Sequence, residues 1–177
     1  MKQKRVLLFT GNGKGKSTAA FGMLARTLGH GMNVKARVIQ FVKAQSGVGE
    51  MLFFSRFSNV VWNHYGRGFL PRDPESPEME AHRIAAEEGL HEAIEAMRSL
   101  EYDFVLLDEV CFALSQHLIP VAPLVEAILE AREGKIIVLT GRNAPQELID
   151  VADTVTEMRM VKHGFEKGMP AKPGVER

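Results

Sequence analysis

The chain has 177 residues, of which 45% are hydrophobic and 25% charged, a composition typical of a globular protein that excludes collagen-like chains and disulfide scaffolds. The length predicts one domain over residues 1–177, with enough chain for one substantial core. The single cysteine, Cys111, excludes an intrachain disulfide and favours a reducing compartment, so we expect a cytoplasmic protein. No apolar run reaches the roughly 18 residues of a membrane span, and the short apolar run after the basic N-terminus does not suit a signal peptide.

The net charge of zero hides an uneven distribution of charge along the chain. Residues 1–49 contain nine lysines and arginines and no acidic residue, which leaves 13 basic and 22 acidic residues for the remainder from totals of 22 each. This pattern favours an anion site in the N-terminal part, suited to a polyphosphate or a nucleic acid. The alternative is that opposite charges simply meet across the fold, and charge alone does not decide between the two.

Short apolar runs alternate with amphipathic stretches along the chain. In chain order, we predict a strand at 5–10, a helix at 16–28, strands at 34–42 and 59–64 with a short helix at 48–57 between them, a loop at 66–77, a long helix at 77–99, a strand at 104–107, a helix at 121–132, a strand at 135–140, a short helix at 145–151, an edge strand at 154–161 and an irregular tail from about 164 to 177. This alternation predicts the α/β class: a single P-loop NTPase-like domain whose mostly parallel sheet has helices on both faces. Ligands of such sheets bind where the strands end.

The strongest signal lies between the first predicted strand and the first predicted helix. Its residues are Gly11, Asn12, Gly13, Lys14, Gly15, Lys16, Ser17 and Thr18. Glycines let backbone N–H groups point at phosphate oxygens, the helix N-terminus adds its dipole, Lys16 adds a charge, and Ser17 offers a hydroxyl to Mg²⁺. Thr10 stands where a standard P-loop has its first glycine, and Lys14 is a second lysine. The motif predicts nucleotide binding without specifying the reaction.

A second pattern follows the predicted strand at 104–107. Asp108 and Glu109 come directly after four apolar residues, which resembles a Walker B site. One carboxylate would hold Mg²⁺ while the other orients water or a substrate, and the spacing does not say which is which. The six histidines have no metal-ligand spacing, so we predict no zinc site.

Three aromatic residues, Trp62, Tyr65 and Phe69, flank the glycine- and proline-rich loop at 66–77. Aromatic rings in such a loop either stack on a flat ligand or fill the core. Composition alone favours the core for all three.

The chain resembles a known family along nearly its whole length. The matching segments are the loop at 11–18, the run Val38-Ile39-Gln40-Phe41-Val42-Lys43, Leu107-Asp108-Glu109, Val138-Leu139-Thr140-Gly141-Arg142, and Val161-Lys162-His163 with Gly168. Together they resemble the P-loop corrinoid adenosyltransferases, the ATP:cob(I)alamin adenosyltransferases of cobalamin biosynthesis and salvage.

The resemblance implies a reaction and its residues. ATP would bind with its triphosphate reversed relative to other P-loop enzymes, and a corrinoid (cobalamin or cobinamide) reduced to Co(I) would attack the ribose 5′ carbon and release inorganic triphosphate. Residues 11–18 would hold the triphosphate and Lys16 would neutralise it. Ser17 and Glu109 would bind Mg²⁺ or Mn²⁺, and Phe69 would lie beside the corrin ring, so the implied catalytic residues are Lys16, Glu109 and Phe69. The implied partners are a flavoprotein electron donor and a second copy in a homodimer, with no nucleic acid and no membrane.

Two departures and two alternatives accompany this interpretation. Pro71 stands where some relatives have a tryptophan near the corrin, and the chain begins almost at its first strand, where some relatives have an N-terminal cover. A small-molecule kinase or ATPase is the main alternative, although the loop spacing is wrong for standard γ-phosphoryl transfer. A nucleic-acid-binding ATPase module is a further alternative, which the absence of a basic stripe and an aromatic platform disfavours.

Overall fold

The computed structural model describes residues 3–31, 33–42 and 48–175. Its strands are β1 (Arg5–Thr10), β2 (Ala36–Phe41), β3 (Val60–Tyr65), β4 (Phe104–Asp108), β5 (Ile136–Thr140) and β6 (Thr154–Glu157). Its α-helices are α1 (Lys16–Gly29), α2 (Gly49–Phe54), α3 (Pro77–Arg98), α4 (Val110–Ser115), α5 (Ala122–Glu130) and α6 (Gln146–Val151), and a 3₁₀ turn spans Gly164–Lys167.

The six strands form one sheet in the order β3-β2-β4-β5-β1-β6, and every neighbouring pair is parallel. The central strands β2 and β4 are buried throughout, as near-continuous apolar runs predict for a sheet covered on both faces. The outer strand β6 is exposed, which fits the predicted edge position. Because all strands point the same way, the polar residues that end them meet at one edge of the sheet, which we call the carboxyl edge.

Two hydrophobic cores lie on opposite faces of this sheet. One packs the alternate residues Ile39, Leu107 and Leu139 against α3, α4, α5 and α6. The other packs Val38, Leu106 and Val138 against α1 and α2. The α/β class with helices on both faces is therefore confirmed.

Three local expectations differ from the structure. Helix α4 was not predicted, because it begins directly after Glu109 and no loop or glycine in the sequence marks its start. The amphipathic pattern of residues 77–99 also predicts that Ile84 faces the core, but Ile84 is 48% exposed and Ala86 is buried instead. The last strand ends at Glu157 rather than at 161, because its partner β1 ends at Thr10 and leaves no strand to continue the ladder. No helix in the described parts of the chain is long and apolar enough to cross a membrane.

Candidate nucleotide and metal site

The phosphate loop connects β1 to α1 at the carboxyl edge. Gly11 and Gly15 have φ of 93° and 115°, a left-handed backbone that strongly favours glycine. The Lys16 side chain is only 8% exposed, and its Nζ donates hydrogen bonds to the carbonyl oxygens of Gly11 and Gly13, both at 2.7 Å. The ammonium group is therefore held inside the loop, where it can turn to the oxygens of a bound polyphosphate.

The segment after β6 lies across the phosphate loop, a contact that the sequence did not indicate. Gly13 N donates to Met158 O at 2.6 Å, and Met158 N donates to Thr10 O at 2.8 Å. A Cβ at Gly13 would lie 2.7 Å from the carbonyl oxygens of Met158 and Arg159, too close for any other residue. Part of the glycine content of the loop therefore serves packing against residues 157–159 in addition to phosphate binding.

Asp108, at the end of β4, is fully buried and accepts hydrogen bonds on both carboxylate oxygens. Oδ2 accepts from Gln40 Nε2 and Oδ1 accepts from Thr140 Oγ1, each at 2.7 Å. Gln40 is the second-last residue of the neighbouring strand β2 and Thr140 ends β5, so side chains join three adjacent strands near their carboxyl ends. Asp108 is therefore built into the sheet edge.

Glu109 is the next residue, and its environment is different. Its backbone is left-handed (φ 61°, ψ 19°) and begins α4, and its side chain is partly exposed. Its backbone N donates to Thr140 Oγ1 at 2.9 Å. Between the two carboxylates that the sequence could not separate, Glu109 is the one at the surface of the site.

The oxygen donors at this edge suit Mg²⁺. The Ser17 hydroxyl stands in the first turn of α1, and Glu109 follows β4. Within the described chain, no group of three or more histidine, cysteine or acidic side chains forms a metal cage. Mg²⁺ usually binds through one or two protein oxygens together with substrate phosphates and water, and Ser17 and Glu109 offer such oxygens.

His64 extends the polar row one strand further, because it pairs with Gln40 in the register of β3 with β2. Burial lowers the pKa of His64, and the charge of Asp108 opposes that shift only in part. His64 Nε2 lies 3.0 Å from Met51 Sδ, while His64 Nδ1 and Gln40 Oε1 have no hydrogen-bond partner among the described residues. Sequence reasoning did not single out Gln40 as a site residue, although a glutamine within an apolar strand is a usable signal.

The aromatic residues near the loop at 66–77 divide into two groups. Trp62 stacks on Phe21 with a centroid separation of 4.9 Å, and Tyr65 packs partly buried against the core under α3. Phe69 is fully exposed, with a relative accessibility of 102%. The expectation from composition that all three fill the core is therefore wrong for Phe69, whereas exposure is compatible with its implied place beside a flat ligand.

The loop that carries Phe69 is tied to the end of β2. Gly68 N donates to Val42 O at 3.0 Å. Val42 has a φ of 65°, and a left-handed backbone is strained for a β-branched residue. Lys43, the next residue of the family-like segment, and Lys2 lie outside the described residues.

The basic N-terminal segment serves two purposes. Lys35 pairs with Glu101, and buried Arg37 pairs with Glu92, so opposite charges meet across the fold as one interpretation proposed. Two further lysines of the segment, Lys14 and Lys16, lie in the phosphate loop. The interpretation that opposite charges meet across the fold is therefore confirmed for Lys35 and Arg37, whereas the anion site stays a prediction for Lys14 and Lys16.

Cys111 follows Glu109 closely but is fully buried. Burial raises the pKa of its thiol to about 12, and the nearby Glu109 adds to the shift. A thiol of this kind stays protonated and is a poor nucleophile.

An all-parallel α/β sheet with a glycine-rich phosphate loop after β1 and an acidic pair at the end of β4, two strands away, defines a P-loop nucleotide-binding protein. The family model described as ATP:corrinoid adenosyltransferase BtuR/CobO/CobP matches residues 2–177, and the chain belongs to that family.

Individual relatives agree with this assignment. A corrinoid adenosyltransferase of Pseudomonas aeruginosa is 40% identical over 97% of this chain and 82% of its own length. One from Sinorhizobium sp. is also 40% identical, over 97% of this chain and 79% of its own length. The corrinoid adenosyltransferase CobA of Salmonella typhimurium is 36% identical, over 97% and 84%.

Proposed function

We propose that this protein transfers the 5′-deoxyadenosyl group of ATP to the Co(I) ion of a corrinoid and releases inorganic triphosphate. The observation that carries the proposal is the modified phosphate loop with Lys16 held inside it, in a chain that belongs to the corrinoid adenosyltransferase family. The new bond joins cobalt to the ribose 5′ carbon, and the bond that breaks joins that carbon to the triphosphate oxygen. The two electrons of the new bond come from Co(I).

This chemistry requires no nucleophile from the protein, because Co(I) is the nucleophile. The protonated, buried Cys111 is consistent with that requirement. The tasks that remain for the chain are to place the ribose against the cobalt, to stabilise the charge of the leaving triphosphate and to exclude water.

Each task falls to residues at the carboxyl edge. Residues 11–18 bind the triphosphate, and Lys16 compensates the charge that develops on the leaving oxygen. Ser17 and Glu109 hold Mg²⁺, or Mn²⁺ in its place, which supplies further positive charge at the phosphates when it is bound. Phe69 covers one face of the corrin, since an exposed ring on a tethered loop offers a flat apolar surface.

Reduction, assembly and location complete the proposal. We propose a flavoprotein as the donor of the electron that makes Co(I), a homodimer as the assembly, and the cytoplasm as the compartment. The donor and the homodimer are what the family resemblance implies, and the single cysteine favours the cytoplasm.

The test is to incubate the protein with ATP labelled at the γ-phosphate, Mg²⁺ and chemically reduced cobalamin, and to separate the phosphates. Label in inorganic triphosphate, together with the absorbance of adenosylcobalamin, is the expected result. A control without corrinoid should leave ATP intact. Stoichiometric ADP or a phosphorylated product would contradict the proposal and favour a kinase or ATPase.

A further inference from the structure

A hydroxyl group on the neighbouring strand β5 contacts the strained junction between β4 and α4. Glu109 has a left-handed backbone that costs a non-glycine residue free energy, so something must keep it there. Thr140 Oγ1 on the adjacent strand β5 accepts the Glu109 N–H at 2.9 Å. Thr140 is 1% exposed, so water does not replace this contact.

The direction of each hydrogen bond at Thr140 is fixed by chemistry. A hydroxyl has one proton to donate and lone pairs with which to accept. The Asp108 carboxylate can only accept, so the Thr140 proton points to Asp108 Oδ1 at 2.7 Å. The lone pairs of the same oxygen then face the Glu109 N–H. Asp108 thus sets the orientation of the hydroxyl, and the hydroxyl holds the backbone of Glu109.

The second carboxylate oxygen of Asp108 also accepts a buried hydrogen bond. Gln40 Nε2 donates to Asp108 Oδ2 at 2.7 Å, and Gln40 is 2% exposed. The carboxylate therefore cannot rotate without breaking two buried hydrogen bonds. The side chains of Gln40, Asp108 and Thr140 therefore form a row of hydrogen bonds that links β2, β4 and β5 beneath the partly exposed Glu109. We call this row the bracket.

We propose that Thr140 is the positioning residue of the metal site: its hydroxyl, oriented by Asp108, fixes the turn that presents the Glu109 carboxylate to Mg²⁺ at the ATP phosphates. The proposal rests on the proposed function for the role of Glu109. It separates the two carboxylates: Glu109 binds the ion, while Asp108 acts through Thr140. Partners that orient a metal ligand typically change metal affinity by about 10- to 100-fold when they are removed.

The experiment compares Thr140→Val, which keeps the shape and removes the hydroxyl, with Thr140→Ser, which keeps the hydroxyl. Mn²⁺ binding is measured by electron paramagnetic resonance in the presence of ATP and without corrinoid, so that no turnover contributes. Exchange of the Glu109 amide hydrogen is measured by NMR on the same proteins. Thr27→Val is the matched control, because Thr27 is also buried and donates its hydroxyl at 2.9 Å to Met23 O within α1.

We expect Thr140→Val to raise the Mn²⁺ dissociation constant by about tenfold or more and to speed Glu109 amide exchange by about tenfold or more. Thr140→Ser should stay within about twofold of wild type in both, and Thr27→Val should change neither. Wild-type Mn²⁺ affinity in a folded Thr140→Val protein would overturn the inference.

A second measurement keeps the inference testable if Thr140→Val does not fold. The Glu109 amide of the wild-type protein should be as protected from exchange as the amides of β4, and exchange at the rate of an exposed loop would overturn the inference. Adenosylcobalamin formation by the wild-type protein is scored separately. Its absence would contradict the proposed function, whereas the exchange and Mn²⁺ results decide the role of Thr140.

Discussion

The amino and carboxyl edges of the sheet carry similar types of residue, but the two edges differ in how those residues are bonded. At the amino edge, where the strands begin, charged groups are bonded to other parts of the chain. Lys135 Nζ, fully buried, donates to the carbonyl oxygens of Ala96, Met97 and Ser99 at 2.7 Å each and so caps the end of α3. Lys4 caps the end of α5 in the same way. These cations satisfy helix carbonyls that would otherwise lack donors.

The carboxyl edge leaves more of its groups under strain or without a partner. Of the four non-glycine residues with positive φ in the described chain, three (Val42, Glu109 and Asn143) lie just beyond the ends of β2, β4 and β5. Among the described residues, Gln40 Oε1 and His64 Nδ1 find no hydrogen-bond partner there. At the amino edge of the described chain, the corresponding atom is Arg132 Nε, on a guanidinium that bonds Asp103 through another nitrogen. The difference teaches that charged groups stabilise the fold at the amino edge, while strained backbone lies at the edge where we propose that ATP binds.

The sharpest test of this contrast is Lys16→Met. Lys16 and Lys135 are both buried lysines whose Nζ donates to backbone carbonyls at 2.7 Å, but they lie at opposite edges. We expect Lys16→Met to lower kcat/KM for adenosyl transfer by about 100-fold or more, since it removes charge stabilisation of the leaving group. The melting temperature should change little. Wild-type turnover in a folded Lys16→Met protein would remove Lys16 from the mechanism.

Lys135→Met should produce the opposite result. It leaves three carbonyl oxygens at the end of α3 without a donor, and we expect the free energy of unfolding to fall by about 2–3 kcal/mol. At a temperature where the variant is folded, kcat/KM should match wild type. Urea unfolding and steady-state kinetics on one preparation check both statements, and a selective loss of turnover would break the contrast between the edges.

Phe69→Ala tests the apolar part of the carboxyl edge. Because Phe69 is fully exposed, its truncation should change the free energy of unfolding by no more than about 0.5 kcal/mol. We expect the rate of adenosyl transfer to fall by about tenfold, equivalent to about 1.4 kcal/mol of lost ring contact. Phe104→Ala is the control, because Phe104 is fully buried and should cost about 3–5 kcal/mol of stability. A comparable stability loss in Phe69→Ala would mean that this ring belongs to the core.

The smallest expected effect concerns pH. Burial lowers the pKa of His64 below its ordinary value of 6.5, so the unfolded chain binds a proton there more readily than the folded one. The contribution of His64 to stability is therefore present above pH 6.5 and is lost as the pH falls below that value. His64→Gln should flatten the acid side of a plot of unfolding free energy against pH. An identical slope in His64→Gln and wild type would contradict this expectation.

Much of the fold could be predicted because its boundaries coincide with residues that have strong local preferences. Strands β1 and β5 end at glycine-containing turns, and α3 begins with Pro77 after a Ser76 cap whose hydroxyl accepts the Met79 N–H at 3.2 Å. Helix α4 was not predicted because it follows a left-handed turn at Glu109, and glutamate, unlike glycine, has no preference for a left-handed backbone. Tertiary contacts with Thr140, rather than local sequence, keep that turn in place.

Some parts of the candidate site could likewise be predicted from the sequence, and other parts could not. The phosphate loop and the acidic pair could be found because their residue types are contiguous and chemically specific. The bracket of Gln40, Asp108 and Thr140 could not, because its members come from three strands that only the sheet order brings side by side. The packing of Met158 on the phosphate loop has no sequence signal either, since it relies mainly on backbone atoms.

The contact between Met158 and the phosphate loop affects the order in which the site is completed while the protein is being synthesised. Residues 11–15 leave the ribosome well before residues 154–159, which contact the loop through the Gly13–Met158 hydrogen bond. A nascent chain therefore displays the complete phosphate-binding motif long before it has a finished cradle. We therefore expect ATP to stabilise the chain mainly after residues 154–159 have been made, and a chain that ends before residue 154 would keep the motif but lose the Gly13–Met158 hydrogen bond.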